Sequence, residues 1–161
     1  NLTNLAQMYP DKRYMGFDWA EPSARIVNQL ASSYGWNMSG MVFDFFSPDE
    51  SVTFDDNTLV LTIGALEQTS DRYVDFLNFL LERSPAICIH VEPIVEWYED
   101  GNLVDYAAAK FHRHRKYWEG FSGSLSELER EGKVEIIKQK RSFFGSLFIE
   151  GYSQIIWRPK T

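Results

Sequence analysis

The segment YMGFDWAEPS, residues 14–23, contains a short apolar run that ends on an acid and then a helix signal. The run predicts a strand over about residues 13–17, and Asp18 follows it directly. Pro22 is typical of the first turn of a helix, where its missing backbone N–H has no partner to lose. A carboxylate between a strand and a helix either caps the helix or binds a ligand, so both interpretations stay open for Asp18 alone.

The composition indicates one folded domain over residues 1–161, with 44% hydrophobic and 16% aromatic residues. The net charge of −7 argues against a general binder of nucleic acid or anionic membrane, because phosphate binding needs clustered Lys and Arg. The basic run at residues 112–116 is interpreted as a solvated helix face. Cys88 has no second cysteine to pair with, which favours a reducing, cytoplasmic location. No apolar stretch approaches the roughly 20 residues of a membrane span, so no membrane partner is expected.

Helix and strand patterns alternate along the chain. Helices are predicted over about residues 2–9, 22–34, 71–83 and 103–131, the last broken near Gly120 and Gly123, and strands over about 13–17, 40–43, 58–63, 86–91, 134–141 and 152–158. Two helices carry apolar stripes expected to face a core, namely Ile26, Val27, Leu30, Ala31 and Tyr34, and Val74, Leu77, Leu80 and Leu81. Continuously apolar runs such as TLVLTI indicate strands covered on both faces, so the pattern predicts an α/β, doubly wound, mostly parallel sheet with a C-terminal antiparallel strand pair.

Four residues fall at the predicted carboxyl ends of strands, where open α/β sheets bind ligands. They are Asp18, Asp44, Gly64 and His90. Asp44 is followed by aromatic residues, so it suits a planar base, although a plain loop carboxylate beside core aromatics is the favoured interpretation when it is taken alone.

Taken together, the segments GFDWAEPS, VFDFF, TLVLTIGALEQTSD and ICIHVEP resemble the Rossmann-like, class I S-adenosylmethionine-dependent methyltransferases over essentially the whole chain. The resemblance implies S-adenosyl-L-methionine as the cofactor. It places Asp18, with Trp19 beside it, on the ribose, and Asp44, with Phe45, on the adenine. It also places the turn Ile63, Gly64 and Ala65 on the methionine part, and Glu67 and Gln68 at the substrate entrance.

The family's first strand and its glycine-rich turn have no counterpart here, because the segment NLTNLAQMYP resembles the helix that follows that turn. The family's strand order is 3-2-1-4-5-7-6, so the strand without a counterpart is the central one. The resemblance therefore implies that this chain is the later part of a longer polypeptide. The missing N-terminal segment is expected in cis or from another chain, and this part alone is expected to bind the cofactor poorly.

His90 and Glu92 are two residues apart at the end of a strand, so their side chains point to the same side. His90 is the candidate catalytic base, and Glu92 is expected to orient it or to hold a substrate hydroxyl. The other interpretation is a hydrogen-bonded, structural His90. A metal is not expected, since no further ligand is evident near this pair.

His112 and Tyr117 lie in a stretch that could form a substrate wall, although an amphipathic helix with its basic side in water is favoured. Phe111, His114, Arg115 and Trp118 fall on a shared helix face, so some of them are expected to pack. The resulting hypothesis is methyl transfer to a small-molecule or sugar-containing acceptor. The alternatives are a non-catalytic methyltransferase-like binding or scaffold domain and, more weakly, a nicotinamide-dependent oxidoreductase.

Overall fold

Two separate β-sheets are present in the computed structural model, which describes residues 1–146 and 150–160. Contacts between Cα atoms divide the chain into an N-terminal unit, Asn1–Asp49, and a C-terminal unit, Glu50–Thr161. Each unit contains one of the two sheets. No helix in the described ranges combines the length and hydropathy needed to cross a bilayer.

The N-terminal unit consists of two helices and two parallel strands. In chain order these are α1 (Leu2–Met8), β1 (Tyr14–Asp18), α2 (Glu21–Tyr34) and β2 (Met38–Val42). Pro22 lies in the first turn of α2, and Gly35 ends that helix with a φ of 66°, both as predicted.

The face that α2 buries differs from the predicted apolar stripe. Ala24 and Ala31 are buried, whereas Ile26 and Tyr34 are 55% and 63% exposed. The reason is the close approach of β2 to α2, which leaves room for only small side chains where the two elements meet. A Cβ on Gly40 would lie 2.3 Å from the backbone oxygen of Ala24. The stripe is therefore rotated towards the alanines.

Among its described residues, the C-terminal unit contains four strands and three α-helices. In chain order these are β3 (Leu59–Ile63), α3 (Tyr73–Arg83), β4 (Ile87–Glu92), α4 (Leu103–His114), α5 (Phe121–Arg130), β5 (Val134–Lys140) and β6 (Ser153–Pro159), with 3₁₀ helices at Leu66–Arg72 and Val95–Trp97. The strand order is β3-β4-β6-β5, and only β6 runs against the other three. The predicted antiparallel pair at the C-terminal end of the chain is therefore confirmed.

The orders of the two sheets, β1-β2 and β3-β4-β6-β5, match the order expected when the first strand of the resembled family is left out. The prediction that the apolar strands are covered on both faces is wrong for β3, since Leu59 and Leu61 are 50% and 37% exposed. On β4 alternate residues are fully buried.

Two predicted helices have different limits or faces in the structure. The region predicted as a helix from residue 71 starts as a 3₁₀ helix and becomes α3 at Tyr73, and Val74 is 44% exposed rather than inward. The long region predicted over residues 103–131 is broken near Gly120, as predicted, since Gly120 has a φ of 91° and directly precedes α5. The predicted break near Gly123 is wrong, because Gly123 lies inside α5.

Candidate functional site

The ends of β1 and β2 bring the two predicted cofactor acids together. The strands are parallel, with Asp18 opposite Val42, and the backbone N–H of Phe43 donates to the backbone oxygen of Asp18 over 2.9 Å. Asp44 is the next residue. The two acids therefore stand at the same edge of the same sheet, as predicted from the parallel strand order.

Each acid uses one carboxylate oxygen in a local turn. Oδ1 of Asp18 accepts the N–H of Ala20 over 2.8 Å, and Oδ1 of Asp44 accepts the N–H of Phe46 over 2.8 Å. Ala20 precedes the first residue of α2, and that helix has no side-chain cap, so Asp18 does not cap the helix. The second oxygen of each acid accepts no hydrogen bond from any residue that the structure describes, so it can accept one from a ligand.

Aromatic rings flank this pair of acids. Phe43 is buried and packs at 4.9 Å from Phe17 and 6.0 Å from Phe45, measured between ring centroids. Trp19 follows Asp18 and is 82% exposed. The edge thus combines open carboxylate oxygens with flat apolar faces, a combination that suits a ribose joined to a planar base.

In the C-terminal unit, the turn after β3 is the predicted methionine-binding segment. Gly64 has a φ of 59°, and its N–H donates to the backbone oxygen of Val91 over 3.1 Å. The N–H of Ala65 donates to Glu92 Oε2 over 3.0 Å, and that of Leu66 to Glu92 Oε1 over 3.3 Å. The carboxylate of Glu92 therefore holds this turn, a contact that sequence reasoning did not identify.

His90 does not reach a surface. Its side chain is 0% exposed and lies between Phe121, with ring centroids 5.1 Å apart, and Trp157, at 6.2 Å. Nδ1 is 2.9 Å from Thr62 Oγ1. Burial lowers the pKa of His90 to about 3, so the ring is neutral at pH 7. This geometry supports the structural interpretation and does not support the prediction of a catalytic base.

A pH-dependent stability is expected from His90. Below pH 6.5, the ordinary pKa of histidine, His90 is protonated in the unfolded chain but stays neutral in the folded chain until about pH 3. The buried ring therefore makes the fold less stable as the pH falls between these two values. The His90→Asn variant lacks this titration. The free energy of unfolding is measured by urea titration. For each pH unit below the ordinary pKa, its value for the variant should rise relative to that of the wild type by up to about 1.4 kcal/mol.

The matched control is His114→Asn, because His114 is exposed. That variant should stay parallel to the wild type over the same pH range. Parallel curves for His90→Asn as well would show that His90 is protonated in the folded chain.

The predicted substrate residues are linked through Trp118. The N–H of Trp118 donates to the backbone oxygen of Glu67 over 2.8 Å, and its own backbone oxygen is 2.6 Å from His112 Nε2. His112 is 0% exposed, so it faces inward and is not part of a surface wall, whereas Gln68 is exposed. Tyr117 is half-buried, with its ring centroid 5.4 Å from that of His112.

The prediction that some residues of the shared face near the end of α4 pack is confirmed by Trp118. Trp118 is buried, but His114 and Arg115 are exposed, and His112 takes the inward position instead. Tyr117 lines an open cavity of about 280 Å³ together with Ser70, Asp71, Arg113, Lys116 and Glu119. Within the described part of the chain no group of three or more His, Cys, Asp or Glu could hold a metal ion.

No protein-family model and no curated protein sequence matches the chain. Solved structures do. The N,N-8-amino-8-demethyl-D-riboflavin dimethyltransferase RosA from Streptomyces davawensis is 14% identical, with a TM-score of 0.62 over 99% of this chain and 46% of its own. LepI in complex with SAM is 11% identical, with a TM-score of 0.64 over 99% of this chain and 40% of its own. The 16S rRNA methyltransferase RmtF, in complex with S-adenosyl-L-homocysteine, is 16% identical, with a TM-score of 0.57 over 99% of this chain and 52% of its own.

These likenesses confirm the predicted fold, which is that of the Rossmann-like, class I methyltransferases. The chain spans only 40% to 52% of the length of these three proteins.

Proposed function

We propose that this chain binds S-adenosyl-L-methionine and forms part of an enzyme that transfers the methyl group to a small-molecule or sugar-containing acceptor. The fold supports the general class. The observation that carries the proposal is the pair of acids, Asp18 and Asp44, at the ends of neighbouring parallel strands.

The acids fit the nucleoside half of this cofactor. The two hydroxyls of a ribose are donors fixed side by side, and the second oxygen of Asp18 is an open acceptor. The exocyclic amino group of adenine is a donor that Asp44 can accept, and Phe45 and the exposed Trp19 offer apolar faces for the base. The resemblance to these methyltransferases assigns Ile63, Gly64 and Ala65 to the methionine part of the cofactor, and this assignment stays a prediction.

When bound, the cofactor supplies an electrophilic methyl group on a sulfonium. The chain's own contribution is to bind and orient, since positioning accounts for most of the acceleration of such a displacement. Gln68, which is exposed, and Tyr117, which is half-buried, are proposed to face the substrate, whereas Glu67 is buried and does not reach the surface. His90, Glu92 and His112 are fully buried and are assigned a supporting role.

The acceptor class rests on charge. One structural neighbour acts on ribosomal RNA, but the net charge of −7 gives this chain little attraction for a polyanion. A small molecule is therefore favoured. The alternative is a non-catalytic binding or scaffold domain, and tight binding of S-adenosylhomocysteine without methyl transfer from labelled S-adenosylmethionine to any small-molecule acceptor would favour it.

The proposal includes a further strand supplied in cis or by another chain. Within the described residues β3 is paired on one edge only, with β4, and it exposes Leu59 and Leu61. An open edge with apolar side chains is a template for another strand. The complete coding sequence, or the mass of whatever purifies with this chain, tests this part of the proposal.

The Asp18→Asn variant tests cofactor binding. The amide keeps an oxygen for the N–H of Ala20 but places a donor where the ribose hydroxyls need an acceptor. Calorimetry with S-adenosylhomocysteine and the full-length protein should show a loss of about 1.5–3 kcal/mol in binding free energy, the range for hydrogen bonds to a charged group.

The matched control is Asp11→Asn, an exposed acid in the same unit that lies outside the strand ends. It should bind S-adenosylhomocysteine as the wild type does. If Asp18→Asn binds S-adenosylhomocysteine as tightly as the wild type, Asp18 only stabilises its local turn, and the proposal loses its main support.

A further inference from the structure

Two carboxyl groups lie buried together near the ends of β3 and β4. Glu92 is 0% exposed and Glu67 is 8% exposed. The carboxylate of Glu92 accepts the backbone N–H groups of Ala65 and Leu66 at 3.0–3.3 Å. Oε2 of Glu67 is buried and has no hydrogen-bond partner among the described residues. The Glu92 side chain, at the end of β4, thus fixes the turn that follows β3.

The two carboxyl groups contact each other without a neutralising cation. The side chain of Glu67 interacts with that of Glu92, and neither acid forms an ion pair with any residue in the described ranges. Burial and the contact with Glu67 hold the pKa of Glu92 well above its ordinary value, while the hydrogen bonds from Thr62 and Leu66 oppose that rise. Two adjacent buried carboxylates cannot both be ionised at little cost, and this favours a proton on Glu92.

Thr62 extends this contact to His90. Thr62 Oγ1 is 2.9 Å from His90 Nδ1. The Thr62 hydroxyl also interacts with the Glu92 carboxyl, and this interaction favours the ionised form of Glu92. His90 Nε2 is buried and has no partner in the described part of the chain.

We propose that Glu92 is a positioning residue for the turn Gly64–Leu66, and that it holds this turn by sharing one proton with Glu67. The effect on the cofactor rests on the proposed function, since that turn is assigned to the methionine side. The shared proton does not rest on it.

The groups around the pair set the sign of the pH dependence. Glu67 faces Glu92 from the 3₁₀ helix, His90 adjoins through Thr62, and β6 places the uncharged Ser153 at the register position opposite Glu92. The folded chain therefore keeps a proton that the unfolded chain releases above the ordinary carboxyl pKa. The stability contributed by the pair is highest at low pH and decreases as the pH rises through the raised pKa.

Infrared spectroscopy tests the shared proton directly. The wild type should show the carbonyl stretch of a protonated carboxyl group near neutral pH, where exposed carboxyl groups are ionised. Glu92→Gln and Glu67→Gln should each lose this band, because the amide donates to the remaining carboxylate. Absence of the band from the wild type would overturn the proposal whether or not the protein binds a cofactor.

Calorimetry with S-adenosylhomocysteine tests the positioning role. Glu92→Gln keeps an acceptor for the turn and a donor for Glu67, so its affinity should stay within about threefold of the wild type, whereas Glu92→Ala should lose about tenfold or more. Glu82→Ala, an exposed acid of the same unit, is the control and should bind as the wild type does. The wild-type affinity should fall as the pH is raised through the titration of the pair, and that of Glu92→Gln should not.

The outcomes separate the two proposals. A wild type that shows the carboxyl band but does not bind S-adenosylhomocysteine would contradict the proposed function and leave the shared proton standing. A folded Glu92→Ala variant with wild-type affinity, or a Glu92→Gln variant as weak as Glu92→Ala, would overturn the positioning role.

Discussion

Replacing Arg141 with Met is expected to lower the free energy of unfolding by about 3–5 kcal/mol, the usual cost of removing one partner of a buried ion pair. The guanidinium group lies 2.5 Å from Asp105 Oδ1 and 2.7 Å from Glu150 Oε2, and it donates to the backbone oxygen of Trp97 over 3.0 Å. The side chains of Arg141, Asp105 and Glu150 are 14%, 6% and 8% exposed. Met keeps much of the aliphatic volume of Arg141, so the measured loss of stability reports the removal of the charge and not a loss of packing.

The cost arises because two largely buried carboxylates would remain without their cation. In the wild type the hydrogen bond from Arg141 holds the pKa of Asp105 below its ordinary value, so this stabilisation is present at neutral pH and is lost as the pH falls through the lowered pKa. In Arg141→Met the same carboxyl group protonates at higher pH. The difference between the wild type and the variant should therefore narrow under acidic conditions.

Arg130→Met is the matched control, because Arg130 also pairs with an acid, Glu127, but both side chains are more than 70% exposed. Its effect should stay below about 1 kcal/mol, as for other surface pairs. Urea unfolding of both variants at two pH values provides the comparison. Equal losses would show that water screens the Arg141 cluster as it screens the surface pair.

The limits of most elements follow from local patterns in the sequence. Pro22 and Gly35 mark the two ends of α2, and Asp18 is the last residue of β1. The adjacency of Asp18 and Asp44 was predictable, because successive parallel strands end at the same edge of a sheet. These features depend only on backbone preferences and strand direction.

Side-chain directions that depend on tertiary contacts were not predictable. Trp118 is buried, and its indole N–H donates to the backbone oxygen of Pro93 over 2.7 Å. His112 faces inward beside it, whereas His114 is exposed to solvent. Glu92 accepts from backbone groups 26 and 27 residues earlier in the chain, and no local pattern encodes such a contact. The one available signal was its place on the same side of β4 as His90, within a strand that is otherwise apolar.

Gly40→Ala is expected to destabilise the N-terminal unit by about 3 kcal/mol, at the upper end of the range for overpacking. A Cβ at this position would lie 2.3 Å from the backbone oxygen of Ala24 and 2.8 Å from its Cα. These are backbone atoms inside α2, so no side-chain rotation relieves the clash. The helix is also held in place by Asn28, whose side chain accepts from the N–H of Gly40 over 2.8 Å and donates to its backbone oxygen over 3.1 Å.

Gly16→Ala is the matched control, because Gly16 is the register partner of Gly40 on β1. Its added Cβ would lie 2.9 Å from the Cδ2 methyl group of Leu2 and 3.4 Å from Val27, and a terminal methyl group can move. That variant should lose less than about 1 kcal/mol, since volume changes at an adaptable contact are tolerated. Hydrogen exchange of the β1 and β2 amides should therefore accelerate much more in Gly40→Ala. Because Asp18 ends β1 and Asp44 follows β2, the affinity of Gly40→Ala for S-adenosylhomocysteine should fall as well. Equal protection of these amides from hydrogen exchange in the two variants would mean that α2 can move away from β2.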